Sequence, residues 1–255
     1  MNNSPEVSVI IPTYNSARTI LYTLQSVFQQ THQDFEIILI NDGSTDDLID
    51  LLSNIQDHRL KIFNYKNGGL FTARNRGIDH ASGNYIIFLD ADSLWTSDKL
   101  ESHIYRLKKT RRFNPRAGVV YNLSYFFDDE AQSCFIDQPQ FYEGNVLAKI
   151  LESNFITNGS NSMMTREAID SVGYFNPDFQ GEADWEYWIR LARKWDYLLV
   201  PQRQIFCRQR QQSMPSRIEP MKYDPLYIFE RAFSNGASYH SISSQIAHQV
   251  NAQIL

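Results

Sequence analysis

Short apolar runs alternate with amphipathic segments in the first part of the chain. The runs end in turn-forming residues, as buried strands do, and cover residues 7–11, 35–40, 60–65 and 85–89, with Pro12 expected to end the first. The segments after them carry apolar side chains at helical spacing and cover 20–28, 47–52, 71–81 and 97–109, with Ser16 as the expected cap of the first helix. This alternation predicts an α/β fold with a mostly parallel sheet flanked by helices.

The second part of the chain has a mixed pattern. Helices are predicted at 146–151 and 185–192, and strands at 118–127, 197–200 and 205–208. A polar, basic stretch at 209–220 predicts a mobile loop, and 223–255 predicts a helical tail that folds back or packs on a partner chain. We therefore divide the chain into a first half at 1–110, a second half of the same domain at 111–222, and the tail.

Composition narrows the function classes. The 255 residues carry a formal net charge of −5, which argues against nucleic acid as the main partner. Two cysteines outside any C-x-x-C spacing are typical of a reducing compartment. The chain lacks the pattern of a signal peptide and any apolar run of about 18 residues. We expect a cytoplasmic protein without a transmembrane segment, whose association with a membrane would be peripheral.

Chemistry-bearing side chains follow three of the predicted strands. The carboxyl ends of parallel strands meet at one edge of a sheet, where ligands of such folds bind. The first strand is followed by Pro12, Thr13 and Tyr14, the second by Asp42, and the fourth by Asp90, Ala91 and Asp92. An aromatic ring, one carboxylate and a carboxylate pair are thus expected to share one crevice.

Each of these residues also has an ordinary structural interpretation. Asp90 and Asp92 could hold Mg²⁺ or Mn²⁺, which take oxygen ligands, or could form a solvated turn in which Asp90 caps the next element. Tyr14 could stack on a base or pack half-buried on the sheet. Asp42 could accept a hydrogen bond from an imide N–H or simply shape its Asn-Asp-Gly-Ser turn.

Two further groups in the second half are candidates. Asp184 precedes a predicted helix, where it could serve as the N-cap, as a general base, or as both, with Glu182 and Glu186 as rivals. The helix dipole is expected to keep such a carboxylate ionised and lower its basicity. In the predicted loop region Arg208, Arg210 and Arg217 could be solvated or could form a lid that neutralises a diphosphate.

Ordered motifs carry a resemblance to a known family. The segments at 9–15, 40–44, 67–69, 73–77 and 83–92, with weaker matches at 159–160, 173–175, 184–191 and 208–214, resemble family 2 glycosyltransferases, which have the Rossmann-like GT-A fold. The resemblance implies transfer of a sugar from a nucleotide diphosphate donor, usually a UDP-sugar, with inversion at the anomeric carbon. It also implies a glycan or lipid-linked acceptor and a divalent metal, Mn or Mg.

The resemblance also implies roles for individual residues. Asp184 matches the catalytic base, and Asp92 the main metal ligand. The nucleotide site would contain Pro12, Thr13, Tyr14, Asp42, Arg74, Asp90, Ala91 and Asp92.

The chain departs from the family pattern at three positions. Ser93 stands where a further Asp is common, Ala183 separates Glu182 from the base, and Arg210 replaces a His of the loop. Two alternatives stay open. Residues 88–94 also resemble the motif of haloacid dehalogenase-like phosphatases, in which Asp90 would be the nucleophile, and a non-catalytic sugar-nucleotide-binding module would tolerate loss of the base.

Overall fold

The computed structural model describes residues 4–128, 133–136, 141–177 and 183–208. The strands are β1 Val7–Thr13, β2 Phe35–Asn41, β3 Leu60–Asn64, β4 Tyr85–Phe88, β5 Leu94–Trp95, β6 Ala117–Asp128, β7 Ser133–Ile136, β8 Met163–Thr165 and β9 Asp196–Arg208. The helices are α1 Ile20–Phe28, α2 Leu48–Ser53, α3 Leu70–His80, α4 Lys99–Arg111, α5 Leu147–Glu152, α6 Arg166–Val172 and α7 Ala183–Ala192. The predicted loop at 209–220, including Arg210 and Arg217, and the predicted tail at 223–255 lie outside the described residues.

The strands of the described residues form one sheet in the order β3-β2-β1-β4-β8-β6-β9-β5, and β7 pairs with β6. Neighbours are parallel from β3 to β4, as predicted. β8 is antiparallel to both β4 and β6, and β9 is parallel to β6. As a result β1, β2, β3, β4, β6 and β9 all end at one rim of the sheet, and the segment leading into β8 starts at that same rim.

Alternating side chains of the strands fill two apolar layers. Ile10, Ile38 and Phe88 belong to the layer that contains side chains of α3, α5, α6 and α7. Val9, Ile37 and Ile87 belong to the layer on the opposite face, which contains side chains of α1, α2 and α4. The sheet is therefore buried on both faces, which explains the nearly continuous apolar runs of its parallel strands.

Helix α3 lies close to the sheet because Gly77 faces β1. A β-carbon on Gly77 would come within 2.2 Å of Ile10 Cγ2, so a larger residue would force the helix away. This close approach places Arg74, one turn earlier in α3, at the level of the strand ends.

Four predicted boundaries were wrong. Pro12 does not end β1: it pairs with Ile40, and its missing N–H points to the side where the pairing with β4 stops at Ile10. Ser16 is not the cap of α1, which begins at Ile20. The Ser16 hydroxyl donates to the Tyr14 carbonyl, and a separate turn at 17–19 precedes the helix. The predicted strands 197–200 and 205–208 are one strand, since register shifts in its pairing with β6 accommodate the intervening Pro201. Helix α7 begins at Ala183, so Asp184 lies within its first turn.

Candidate functional site

The centre of the site is the guanidinium of Arg74, which joins two carboxylates. Its Nη2 donates to Asp90 Oδ1 at 3.1 Å and its Nη1 donates to Asp184 Oδ1. Arg74 is 1% exposed, whereas the side chains of Asp90 and Asp184 are 33% and 21% exposed. The two carboxylates are thus accessible from the crevice, and the cation that separates them is buried behind them.

Apolar groups and one glycine hold Arg74 in place. The guanidinium carbon lies 5.7, 5.5 and 5.6 Å from the ring centroids of Phe71, Phe88 and Phe175. On another side it faces Gly159, where a β-carbon would lie 2.4 Å from Arg74 Nη2. Cation–π contacts of a desolvated arginine are stabilising, and the narrow space leaves the side chain one position.

Burial raises the pKa of Asp184 above its ordinary value. The Arg74 charge opposes this shift, and the nearby Asp90 charge adds to it. The helix dipole was expected to lower the basicity of Asp184, and burial acts on its pKa in the opposite direction. A carboxylate with a raised pKa is the stronger base.

The structure separates Asp184 from one of its rivals, Glu186. Both oxygens of Glu186 accept hydrogen bonds from Arg190, at 2.6 and 2.9 Å, and the Glu186 side chain is 3% exposed. Both oxygens of Glu186 are therefore engaged in an ion pair within α7, and Glu186 is not suited to accept the proton of a substrate. Glu182 lies outside the described residues.

The turn after β4 places Asp90 and Asp92 at the rim. The Asp90 backbone N–H donates to Ser160 Oγ at 2.8 Å, which fixes the turn to the segment leading into β8. Ala91 and Ser93 are buried and Asp92 is partly exposed. Cys207 of β9 lies close by: burial, with a smaller contribution from Asp90, raises the pKa of its thiol to about 12. Among the described residues, no three His, Cys, Asp or Glu side chains cluster closely enough to form a complete metal site.

The residues at the ends of β1 and β2 include one exposed side chain, and the others are buried or hydrogen-bonded within the protein. Pro12 and Thr13 are buried, and Thr13 Oγ1 donates to the Ile40 carbonyl at 3.0 Å. Tyr14 is the first exposed residue, at 53%. Asp42 is buried and accepts from the Gly68 and Gly69 N–H groups and from Arg76 Nη1, at distances from 2.7 to 3.0 Å.

At the other end of the site, β9 ends at Arg208. Its guanidinium carbon lies 4.6 Å from the ring centroid of Phe127, so the side chain packs along the sheet at this point. The other predicted lid residue, Arg210, lies outside the described residues.

Three positioning contacts were not predicted. Ser160 holds the Asp90 turn, and Arg76 holds Asp42. Asn75 exchanges two hydrogen bonds of 2.9 Å with the backbone of Phe175, one of the rings around Arg74. Only their presence within the motifs at 73–77, 159–160 and 173–175 could have indicated them, because each acts on a segment distant in sequence.

Comparison with known proteins identifies the family. The family model described as "Glycosyltransferase like family 2" matches residues 8–248. The chain belongs to this family. An uncharacterized glycosyltransferase of Rickettsia felis is 33% identical over 192 residues, which are 74% of this chain but only 30% of that protein. The chain thus spans less than a third of that relative's length.

The chain is also similar to a second relative, over a shorter range, and to a solved structure. The Escherichia coli protein named UDP-Glc:alpha-D-GlcNAc-diphosphoundecaprenol beta-1,3-glucosyltransferase WfaP is 38% identical over 109 residues, 42% of this chain and 43% of that protein. The crystal structure of S. aureus TarS 1–349 in complex with UDP-GlcNAc aligns with a TM-score of 0.75 and 18% identity, over 98% of this chain and 70% of that one. This likeness confirms the predicted GT-A fold, and membership of the glycosyltransferase family disfavours the dehalogenase-like phosphatase.

In the described parts of the chain, every helix is either too short or too polar to cross a bilayer.

Proposed function

We propose that this family 2 chain transfers a sugar from a UDP-sugar to an acceptor hydroxyl by direct displacement with inversion. The observation that carries the proposal is the pair of ion contacts made by Arg74 with Asp90 and Asp184. These contacts place Asp90, on the proposed donor side, and Asp184, the proposed base, at the two terminal nitrogens of one guanidinium. An inverting transfer needs these two functions on either side of the reacting carbon.

The proposed reaction uses Asp184 as the general base. The acceptor oxygen forms the new bond to the anomeric carbon, the bond from that carbon to the diphosphate oxygen breaks, and UDP leaves with the electron pair. Asp184 takes the acceptor proton, and its raised pKa favours this transfer. Arg74 keeps the base oriented and supplies positive charge beside the donor carboxylate.

The proposed nucleotide site lies at the ends of β1 and β2. Tyr14 offers an exposed ring on which uracil can stack. Pro12 and Thr13, which pair with Ile40 and Asn41 of β2, would line the bottom of the uracil pocket. Asp42 would recognise the imide N–H. Gly68, Gly69 and Arg76 already donate to its carboxylate, and the Gly68 N–H is shared between both oxygens, so the imide N–H would take one of these two shared positions.

Asp90 and Asp92 fit a divalent cation such as Mn²⁺ or Mg²⁺. Both supply hard oxygen ligands, and the Asp90 carboxylate is accessible from the crevice. Asp92 would be the main protein ligand, and the diphosphate of the donor would complete the coordination. Such an ion stabilises negative charge on the departing diphosphate.

For the acceptor we propose a glycan carried on a lipid. WfaP is named for a lipid diphosphate acceptor, and it is 38% identical to this chain over 109 residues. With such an acceptor, the protein would work in the cytoplasm, at the surface of the membrane.

The decisive experiment is calorimetric titration with UDP, CDP, GDP and ADP, with and without Mn²⁺, followed by transfer assays with UDP-sugars. UDP-selective, metal-dependent binding together with transfer supports the proposal. The Asp184→Asn variant should bind UDP like the wild type and lose about 10²- to 10⁴-fold in kcat. Glu186→Gln is the control, which should alter stability through Arg190 but leave kcat of the folded protein unchanged. Donor binding without transfer to any acceptor would indicate the non-catalytic binding module.

A further inference from the structure

Lys99 carries a buried amine on the face of the sheet opposite Arg74. It is the first residue of α4 and is 0% exposed. Its Nζ donates to Asn122 Oδ1 of β6 and to the Asn161 carbonyl oxygen, at 3.1 Å for the latter. Both partners are neutral oxygens, so the burial of this amine is not explained by a carboxylate contact.

Asn161 belongs to the segment 156–162 that leads into β8. Its Oδ1 accepts from the Asn122 N–H at 3.0 Å, and its Nδ2 donates to the Ile156 carbonyl at 3.0 Å. Together with the two bonds of Lys99, these contacts close a ring that connects α4, β6 and the segment. An apolar side chain at Lys99 would avoid the cost of desolvation but could not make this connection.

The same segment contacts the candidate site. Ser160, next to Asn161, accepts from the Asp90 N–H at 2.8 Å. Gly159 limits the space of the Arg74 guanidinium. A displacement of the segment would therefore move both Asp90 and Arg74.

We propose that Lys99 is a positioning residue for the transfer reaction, which fixes the segment 156–162 from the far face of the sheet and so sets Asp90 and Arg74. This inference rests on the proposed function for its catalytic consequence. The claim that Lys99 fixes the position of residues 156–162 does not depend on the proposed function. Lys99 acts through Asn122 and Asn161 and does not touch substrate.

The test uses Lys99→Met, which keeps the length of the side chain and removes its donors. Hydrogen exchange is measured without ligand on peptides covering 86–93 and 156–162. Exchange in both should increase at least tenfold while the rest of the sheet is unchanged, and kcat/KM for the donor should fall at least tenfold. Lys109→Met, an exposed position on the same helix, should change neither.

Asn161→Ala provides a second route to the same result should Lys99→Met not fold. It should reproduce the local increase in exchange, and the double variant should lose little more activity than either single variant, because both act through one contact. Unchanged exchange in 156–162, an increase spread evenly over the protein, or additive losses would each overturn the inference. A wild type that binds no sugar nucleotide would instead overturn the proposed function and leave the exchange result standing.

Discussion

A β-carbon on Gly159 would lie 2.4 Å from Nη2 of Arg74, well inside van der Waals contact. Arg74 is enclosed on its other sides by Phe71, Phe88 and Phe175 and cannot retreat. We therefore expect Gly159→Ala to displace the guanidinium from Asp90 and Asp184. Misplacement by about 1 Å can cost about 10²-fold in rate, so kcat/KM should fall by that order. Ser153→Ala, an exposed change just before the same segment, should leave kcat/KM as in the wild type.

The pH dependence of transfer should reflect the environment of Asp184. Because its pKa is raised above the usual 3.8, the acidic limb of kcat/KM should lie above that value. Arg74 opposes the shift, so weakening its contact should move the limb to still higher pH. Arg74→Lys keeps the charge but cannot reach both carboxylates with a rigid fork.

The control for this experiment is Arg76→Lys, which changes a cation that contacts Asp42 and not Asp184. Its acidic limb should coincide with that of the wild type. An identical limb in all three proteins would show that Asp184 is not the titrating base.

Asp42 should matter for stability as well as for the nucleotide. In Asp42→Asn one oxygen is replaced by an amide NH₂, which would face the N–H groups of Gly68 and Gly69 or the Arg76 guanidinium. The free energy of unfolding should fall by about 1–3 kcal/mol. Denaturant titration measures this loss, and an unchanged midpoint would show that the carboxylate does not organise residues 67–69.

The burial of His103 predicts that the stability of the protein falls at acidic pH. It is fully buried in α4, and burial, followed by the neighbouring Lys99, lowers its pKa well below 6.5. Below pH 6.5 the unfolded chain binds a proton at His103 that the folded chain does not, so stability falls with decreasing pH. The slope is about 1.4 kcal/mol per pH unit for one proton.

Urea titrations between pH 7 and pH 5 measure this dependence. The His103→Leu variant should have a slope smaller by that amount, and the lowered pKa of the buried Lys99 should leave its own contribution. His58→Leu, at an exposed position, should retain the full slope. Parallel curves for all three proteins would show that His103 is not the responsible group.

The sequence predicted the parallel part of the fold because each of β1 to β4 is a local apolar run with a turn after it. It did not predict β5 or β8, which have two and three residues and therefore no periodicity. The residues of the rim were found through their position after strands. The contact of Arg74 with Asp184 spans 110 positions, and the raised pKa of Asp184 depends on burial; neither can be derived from a local pattern.

The reversal of direction at β8 has an evolutionary consequence. Since six strands, β1, β2, β3, β4, β6 and β9, end at the rim where the segment into β8 begins, the loops at this rim are separated from the ladder that stabilises the fold. Doubling the length of such a loop costs only about 0.6 kcal/mol in closure entropy. Under the proposed function, new acceptor preferences can therefore arise by insertion and deletion at this rim, while β1, β2 and β4 continue to hold the proposed donor residues in register.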